Sequence, residues 1–309
     1  MRALITGAAG FIGSHLLRRL LKEGFQVAAL IRPASNPWRI VDLLEHVEII
    51  KGDLNNLQPS GCAITSFKPE VVFHLAWDGA SSYRYQDDFS QVFHNVNGSL
   101  ELVRLAHESK CRNFIGMGSV LEYGKYKIPV REDDEACPTS LYGAAKNSVN
   151  MLSRKLCEVG GMRFIWFRLF WAYGPADEPA RMIPYLIQTL LRGEKAALTP
   201  GEQLWDYIFI DDVVEAIFQA AVTSKLHGVY NLASGEEHSI RETAEHVRDL
   251  INPEMLLGFG EIPYRSDQIM HLKADISLLK RTLGWLPKVT LDEGLKRTVA
   301  WHKNRMGLV

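Results

Sequence analysis

The sequence lacks the features that mark membrane-spanning, secreted or nucleic-acid-binding proteins. No apolar run approaches the roughly 18 residues that a membrane-spanning helix needs. The 35 lysines and arginines nearly balance the 36 aspartates and glutamates, so the formal net charge is -1. Without a basic stripe we expect no nucleic-acid partner and no anionic membrane partner. The first strand-like segment follows Met1 directly and leaves no room for a signal peptide, so we expect a cytoplasmic protein.

Cysteine is also scarce. The four cysteines, Cys62, Cys111, Cys137 and Cys157, show no C-x-x-C spacing and do not cluster with histidine. This pattern favours packed or surface thiols over disulfides or a metal site. We therefore assign no metal ligand.

Strand-like and helical patterns alternate along the chain without any internal repeat. This alternation is typical of an α/β protein with a doubly wound parallel Rossmann sheet. We predict a dinucleotide-binding Rossmann domain over residues 1–170, to which residues 206–235 return, and a smaller mixed C-terminal lobe over 171–309 that mainly binds substrate. The strand candidates are Phe25–Ile31, Val47–Ile50, Val71–Leu75, Phe114–Met117, Phe164–Leu169 and Tyr207–Ile210, and the helical patterns cover 86–109, 140–159, 182–192 and 211–224, with two short helices near the end.

Three evenly spaced glycines follow the first apolar strand. Gly7, Gly10 and Gly13 stand between residues 3–5 and an amphipathic helix that ends at Gly24. Without Cβ atoms the chain can turn tightly, admit a pyrophosphate and pack the helix close to the strand. The free N–H groups at the start of the helix would face the phosphates. The segment therefore predicts a dinucleotide-binding βα unit.

The end of the second strand indicates which dinucleotide is bound. An acidic residue there would bond the ribose 2′-OH of NAD, but no Asp or Glu occurs between Gly24 and Val41. Arg32 and Arg39 are available instead to meet a 2′-phosphate. We therefore predict NADP(H), with NAD(H) as the alternative if Arg32 is only a solvated loop residue. Asp53, after the third strand, could reach the adenine amino group or simply form a turn.

Tyr142 and Lys146 are four residues apart in a helical pattern over 140–154. Their side chains share one helix face, where an ammonium would favour the phenolate and lower the phenol pKa. Ser119 closes the strand candidate Phe114–Met117 at the carboxyl edge, where its hydroxyl could bond a substrate carbonyl oxygen. A simple turn or cap is the alternative for Ser119. Together the three residues predict acid–base catalysis at an oxygen beside the cofactor.

Ordered motifs extend this pattern over nearly the whole chain. They include residues 6–15, 52–54, 72–76, 95–99, 119–124, 142–146, 173–175, 206–213 and 283–287. On these motifs the sequence resembles the extended short-chain dehydrogenase/reductase family, the NAD(P)-dependent nucleotide-sugar epimerases, dehydratases and reductases related to UDP-galactose 4-epimerase.

The resemblance implies a role for individual residues. Tyr142 is the implied catalytic acid or base, Lys146 also holds the nicotinamide ribose, and Ser119 polarises the keto oxygen of the sugar. Arg265 is the implied diphosphate ligand. The implied cofactor-binding set is Gly7, Gly10, Phe11, Ile12, Gly13, Arg32, Asp53, Leu54, Leu75, Ala76, Asn95, Tyr142 and Lys146.

Three departures from the family pattern narrow the expected activity. The 4,6-dehydratases of the family carry an Asp-Glu pair after the catalytic Ser or Thr, where this sequence has Val120 and Leu121, so dehydration is disfavoured. Trp171 and Trp205 replace an Asn and an Arg that face the substrate in relatives. Both indoles are candidate substrate contacts, or else they pack between the lobes.

Two catalytic functions fit these residues. The first is NADPH-dependent reduction of a nucleoside-diphosphate 4-keto-6-deoxy sugar, favoured by Arg32, and the second is an NAD(P)-dependent nucleotide-sugar 4-epimerase. A non-catalytic NADPH sensor is a third reading, disfavoured because Ser119, Tyr142 and Lys146 are intact.

A homodimer is expected from the resemblance, with helices 86–109 and 140–159 pairing with their copies. Phe89, Val92, Phe93 and Val96 form an apolar stripe at helical spacing that could serve this contact. The alternative is that the stripe faces the protein's own core.

Overall fold

The computed structural model describes residues 1–80, 85–124 and 127–308. Within these ranges the chain is built on a seven-stranded sheet whose neighbouring strands are all parallel. The strands in chain order are β1 (Arg2–Thr6), β2 (Gln26–Ile31), β3 (Glu48–Lys51), β4 (Val71–His74), β5 (Asn113–Ser119), β6 (Arg163–Leu169), β7 (Trp171–Tyr173), β8 (Ala196–Leu198), β9 (Leu204–Trp205), β10 (Tyr207–Phe209), β11 (Gly228–Leu232), β12 (His238–Ser239), β13 (Leu257–Phe259) and β14 (His271–Leu272).

The order across the main sheet is β11-β6-β5-β4-β1-β2-β3. The order reverses beside β1, because the chain runs outward to β3 and then returns to β4 on the other side. In such doubly wound sheets ligands bind at the carboxyl ends of the strands next to this reversal. The predicted fold class, α/β with a doubly wound parallel Rossmann sheet, is confirmed, and the described residues also form smaller two- and three-stranded sheets.

Helices cover both faces of the sheet. Those that the structure describes are α1 (Phe11–Lys22), α2 (Gly61–Phe67), α3 (Asn97–Glu108), α4 (Leu141–Val159), α5 (Met182–Leu191), α6 (Ile210–Val222), α7 (Ile240–Ile251), α8 (Ser277–Leu283) and α9 (Leu291–Arg305), with a π-helix over Gln91–Val96. None of these helices combines the length and apolar character required to cross a bilayer.

Alternate residues of the buried strands face two separate hydrophobic clusters. In β1, Ala3 and Ile5 belong to the cluster that includes Leu16 of α1, whereas Leu4 belongs to the one that includes Val103 of α3. Successive side chains of a strand point to opposite faces, so a sheet covered on both sides needs continuous apolar runs. Burial of both faces explains why these strands appear in the sequence as short continuous apolar runs.

The structure differs from the predicted elements at several points, since α2 and α7 were not predicted and α9, with 15 residues, is longer than expected. The strand candidate Tyr207–Ile210 gives β10, which pairs with β7 in a separate two-stranded sheet. The seventh strand of the main sheet is instead β11, which pairs with β6. The helical pattern over 86–109 is divided into the π-helix and α3.

Candidate active site

The glycine turn between β1 and α1 requires the absence of side chains. Gly7 has φ +75°, and a Cβ there would lie 2.8 Å from the backbone nitrogen of Ala76. A Cβ on Gly13 would lie 2.1 Å from the carbonyl oxygen of Gly7. Gly10 caps α1 without a side chain, and the first turn of the helix holds no acidic residue. The exposed N–H groups of this turn therefore fit the phosphates of a dinucleotide.

A buried hydrogen-bonded chain fixes the loop that meets this turn. The Ala76 N–H donates to Thr6 Oγ1 (3.2 Å), which is 2.9 Å from His74 Nδ1, and His74 Nε2 is 2.8 Å from Ser99 Oγ. The Ser99 hydroxyl donates to the Asn95 carbonyl oxygen (2.6 Å), so it accepts from Nε2–H and leaves Nδ1 to accept from Thr6. Burial lowers the pKa of His74 to about 3, and the imidazole is therefore neutral.

Asn95 positions the loop after β4, and its carboxamide points to the backbone of that loop. It is 1% exposed, its Oδ1 accepts from the Asp78 N–H (2.8 Å), and its Nδ2 donates to the Asp78 carbonyl (3.0 Å). Both ends of the carboxamide are thus engaged by the backbone of Asp78, and the role of Asn95 as a direct cofactor ligand stays a prediction. Leu75 and Ala76, which precede Asp78, lie against the glycine turn.

Arg32 and Arg39 have different surroundings. The Arg32 side chain is 52% exposed at the end of β2, and its Nη1 lies 3.2 Å from Asp78 Oδ1. The Arg39 side chain is 7% exposed, and it donates to the Ala176 carbonyl (2.8 Å) and to Glu178 Oε1 (2.9 Å). Its Nη1 also donates to the Ala9 carbonyl of the glycine turn (3.4 Å). A 2′-phosphate would have to compete with these contacts for the guanidinium, and a role of Arg39 in binding it stays a prediction.

Of the remaining predicted cofactor residues, some lie at the surface of a cavity or turn and others are packed in the hydrophobic core. Ile12 lines a cavity that also contains Ser119 and Tyr142 in its wall. The Phe11 ring is buried against His15, with centroids 5.7 Å apart. The Asp53 carboxylate accepts from the Asn55 N–H (3.0 Å), which is the turn that the sequence offered as the alternative. Leu54 is 8% exposed and packs in the core.

The three predicted catalytic residues meet at the carboxyl end of β5. Ser119 is the last residue of that strand, and Tyr142 and Lys146 lie in the first turns of α4. The Ser119 hydroxyl favours ionisation of the Tyr142 phenol and by itself lowers the phenol pKa. Burial raises the phenol pKa to about 12 despite this effect, so Tyr142 is protonated at neutral pH.

Lys146 is held away from the phenol. Its Nζ donates to the Met117 carbonyl (2.7 Å), lies 3.7 Å from the centroid of the Trp77 ring and is 6.0 Å from that of Tyr142. Burial lowers the lysine pKa to about 7, while the Glu122 carboxylate opposes the shift. The expected lowering of the phenol pKa by Lys146 is therefore absent, because desolvation of Tyr142 dominates. Trp77 was not singled out in the sequence.

Glu122 is a buried carboxylate directly beneath Ser119. It is fully buried, and it accepts from the Ser119 N–H (2.9 Å), Trp166 Nε1 (2.9 Å) and Arg168 Nε (3.0 Å). These bonds turn the carboxylate away from the cavity and fix the end of β5. A carboxylate so engaged cannot serve as a free base toward substrate.

A cavity of about 460 Å³ opens beside these residues. Among its described lining residues the charged ones are all cationic, namely Lys146, Arg181 and Arg265. Arg181 was missed in the sequence, and its Nη1 is 3.5 Å from Asp177 Oδ1. Arg265 Nε likewise lies 3.0 Å from Asp267 Oδ1, so carboxylates outside the lining partly compensate both arginines. The lining itself presents cations and no carboxylate, which favours an anionic ligand.

Both predicted substrate-side indoles line this cavity. The ring centroids of Trp171 and Trp205 are 4.3 Å apart, and Trp205 Nε1 donates to the Ile269 carbonyl (2.9 Å). Trp205 is 6% exposed. The indoles therefore pack against each other and also line the cavity, and their contact with a substrate stays a prediction.

A larger groove of about 820 Å³ lies elsewhere, between α4 and α8. None of the predicted site residues lines it. Its cations and anions alternate, for example Lys155 with Glu158 at 3.0 Å and Arg131 with Asp133 at 2.9 Å. Paired charges of this kind define no ligand.

The fold, the glycine turn and the Ser-Tyr-Lys group define an extended short-chain dehydrogenase/reductase. Residues 3–233 match the NAD dependent epimerase/dehydratase family. The chain belongs to this family, and it is an enzyme.

Relatives cover almost the whole chain. It is 29% identical over 302 residues to a CDP-abequose synthase of Salmonella muenchen (97% of each chain) and 30% identical over 316 residues to a UDP-glucose 4-epimerase of Mycolicibacterium smegmatis (99% of each). The structure is similar to UDP-glucose 4-epimerase from Thermotoga maritima with UDP-glucose (TM-score 0.90, 26% identity, 99% and 100% coverage). It is also similar to the Thermus thermophilus UDP-glucose 4-epimerase in complex with NAD (TM-score 0.88, 25% identity, 98% and 99% coverage).

The contact between Lys146 and Trp77 leads to a prediction about the lysine pKa. A desolvated cation–π contact stabilises the ammonium by about 2 kcal/mol, so Trp77→Leu should lower the pKa of Lys146 by about one unit or more. Trp77→Phe should lower it less, because a smaller ring face remains. NMR titration of protein labelled at lysine side chains measures the shift, with Trp38→Leu as a control distant from Lys146. An unchanged or raised pKa in Trp77→Leu would contradict the role of the indole.

Proposed function

We propose that this enzyme is an NADPH-dependent reductase of a nucleoside-diphosphate 4-keto-6-deoxy sugar. The observation that carries the proposal is the cavity itself. Ser119, Tyr142 and Lys146 stand at one end of it, and its described charged lining is cationic without a carboxylate. This arrangement suits an anionic substrate and proton transfer at an oxygen.

The cofactor would supply a hydride when bound, and the residues of the glycine turn fit its phosphates. Tyr142 donates its proton to the carbonyl oxygen as that oxygen becomes an alkoxide. The high phenol pKa keeps the proton on Tyr142 at neutral pH, which suits a general acid in the reducing direction. Ser119 stabilises the developing charge by a hydrogen bond, and the Lys146 ammonium adds a positive charge nearby.

Elimination of water is not supported by these residues. A dehydratase needs a carboxylate base or acid close to the sugar, and positions 120 and 121 hold Val and Leu. The next residue, Glu122, is buried and bonded to Arg168 and Trp166. Chemistry at a single carbon therefore fits the site better.

We assign the substrate side mainly to residues 171–309 and the cofactor side mainly to residues 1–170, with 206–235 returning to the latter. Arg265 and Arg181 are the candidates for binding the diphosphate, because their guanidinium groups line the cavity. Trp171 and Trp205 offer aromatic surface to the sugar or the base.

A nucleotide-sugar 4-epimerase is the second candidate. The similarity to UDP-glucose 4-epimerases in sequence and structure favours it. An epimerase regenerates its cofactor within each turnover and has no need to release it, whereas a reductase consumes NADPH stoichiometrically. Absorbance of the purified protein and steady consumption of added NADPH with keto sugars therefore separate the two.

Removal of single groups tests the chemistry. Tyr142→Phe should lower turnover by about 10²–10⁴-fold while NADPH still binds, because only the proton donor is lost. Ser119→Ala should lower turnover about 10²-fold, and Lys146→Ala should weaken both turnover and cofactor affinity. Tyr185→Phe, which removes another hydroxyl from the cavity lining, is the matched control. Near-full activity of Tyr142→Phe on a confirmed keto sugar would refute the assignment.

Cofactor preference is tested at Arg32. Each lost charge-assisted bond costs about 1.5–3 kcal/mol, so Arg32→Ala should raise the Kd for NADPH at least about tenfold and leave that for NADH nearly unchanged. Arg18→Ala, at a similarly exposed arginine paired with Asp42, should change neither. Titration calorimetry measures both constants. Equal weakening of the two dinucleotides would remove the argument for NADPH.

We also propose that the protein is a homodimer. Phe89 and Phe93 are 76% and 65% exposed, and Met151 of the adjacent α4 is 65% exposed, whereas Val96 packs against the core. The predicted stripe is thus divided between the two alternatives. The exposed part, together with α4, offers an apolar surface for a second copy.

Light scattering at micromolar concentration should therefore give a dimer mass. Phe93→Glu should shift the protein toward monomer, because a charge in an apolar interface is poorly solvated. Leu256→Glu changes an equally exposed apolar residue (74%) outside the proposed interface and should leave the mass unaltered. A monomeric wild-type protein would end this proposal.

A further inference from the structure

An ion pair joins the two strands that flank the glycine turn. Arg32 directly follows β2, and Asp78 lies four residues beyond the end of β4, with Arg32 Nη1 3.2 Å from Asp78 Oδ1. The sheet order places β2 and β4 on opposite sides of β1, which ends at the glycine turn. The pair therefore reaches across the carboxyl edge of the sheet from one neighbour of β1 to the other.

The Asp78 end of this pair is fixed by the fold. Asn95 binds the N–H and the carbonyl of Asp78, and Gln91 Nε2 also donates to that carbonyl (3.3 Å). Both amide side chains are buried. The carboxylate is thus presented from a loop whose backbone is pinned by the π-helix.

The Arg32 end is weakly held. The two side chains are 52% and 45% exposed, and exposed pairs contribute at most about 1 kcal/mol. A dinucleotide bound at this edge runs over the turn, with its adenosine toward the end of β2. A 2′-phosphate would compete with the Asp78 carboxylate for the same guanidinium, whereas a 2′-hydroxyl would not.

We propose that Asp78 is a specificity-determining residue for the cofactor. Its carboxylate holds Arg32 across the groove and adds a negative charge beside the position of the 2′-phosphate, so it limits the preference for NADPH over NADH. The inference rests on the proposed role of Arg32 in binding NADPH.

Direct binding measurements on the purified chain test this proposal. NADPH and NADH are titrated separately by calorimetry into the wild type, Asp78→Asn, Arg32→Ala and the double variant, at low and at high salt. Asp78→Asn should tighten NADPH about fivefold and change NADH less than about twofold. The gain should shrink at high salt, because screening weakens exposed charges, and should be smaller in the Arg32→Ala background.

Glu194→Gln is the matched control. It breaks an ion pair of similar length in the turn after α5, where Arg192 Nε is 3.0 Å from Glu194 Oε2. The Arg192 and Glu194 side chains are 46% and 57% exposed. The substitution should leave both affinities unchanged. If Asp78→Asn left NADPH affinity unchanged, weakened it, or tightened both dinucleotides equally, the proposal would be overturned. If Arg32→Ala did not affect NADPH, the proposed function of Arg32 would fail instead, so the two failures are distinguishable.

Discussion

The neutral imidazole of His74 links the end of β1, the loop after β4 and the start of α3. It bonds Thr6 at the end of β1 and Ser99 of α3, and through them it reaches the Ala76 N–H and the Asn95 carbonyl. The Ser99 proton is committed to the Asn95 carbonyl, so Nε2 must donate to Ser99, and the neutral ring is the Nε2–H tautomer with Nδ1 accepting from Thr6. Protonation would place a desolvated charge in this buried position near Lys146, and the pKa of His74 is therefore lowered to about 3.

A second buried group, Lys146, lies beside Ser119 and Tyr142 in the wall of the cavity. Its pKa of about 7 lies below the ordinary value of 10.5 because of burial. Between those values the unfolded chain binds a proton that the native protein does not, so the free energy of unfolding rises with pH across this window. Below it the native protein carries a desolvated ammonium, which the Met117 carbonyl and the Trp77 face stabilise. Such a cost is typical of functional sites rather than of packing.

Local spacing was enough to predict the residues whose positions depend on one element. Gly7, Gly13 and the Tyr142–Lys146 pair follow from a turn or a single helix, and Ser119 follows from the end of a strand. The contacts of Arg39 with Ala176 and of Asn95 with Asp78 could not be predicted from local spacing, because these partners are distant in sequence. Trp77, Glu122 and Arg181 carried no local signal, since their importance arises from the packing around them. The strand β11 was also missed. Tertiary contacts decide which strand joins β6 in the main sheet, and they pair β11 with β6 and β10 with β7.

The choice of cofactor shows the limit of a rule that considers only the residues at the end of β2. The segment after β2 contains an arginine and no carboxylate, which by itself favours a 2′-phosphate. In space, however, a carboxylate stands next to that arginine, contributed by the loop after β4. The two charges cancel formally, so the potential that a bound phosphate meets depends on its distance from each of them. An arginine at the end of β2 therefore favours NADPH only to the extent that the phosphate attracts it more strongly than Asp78 does.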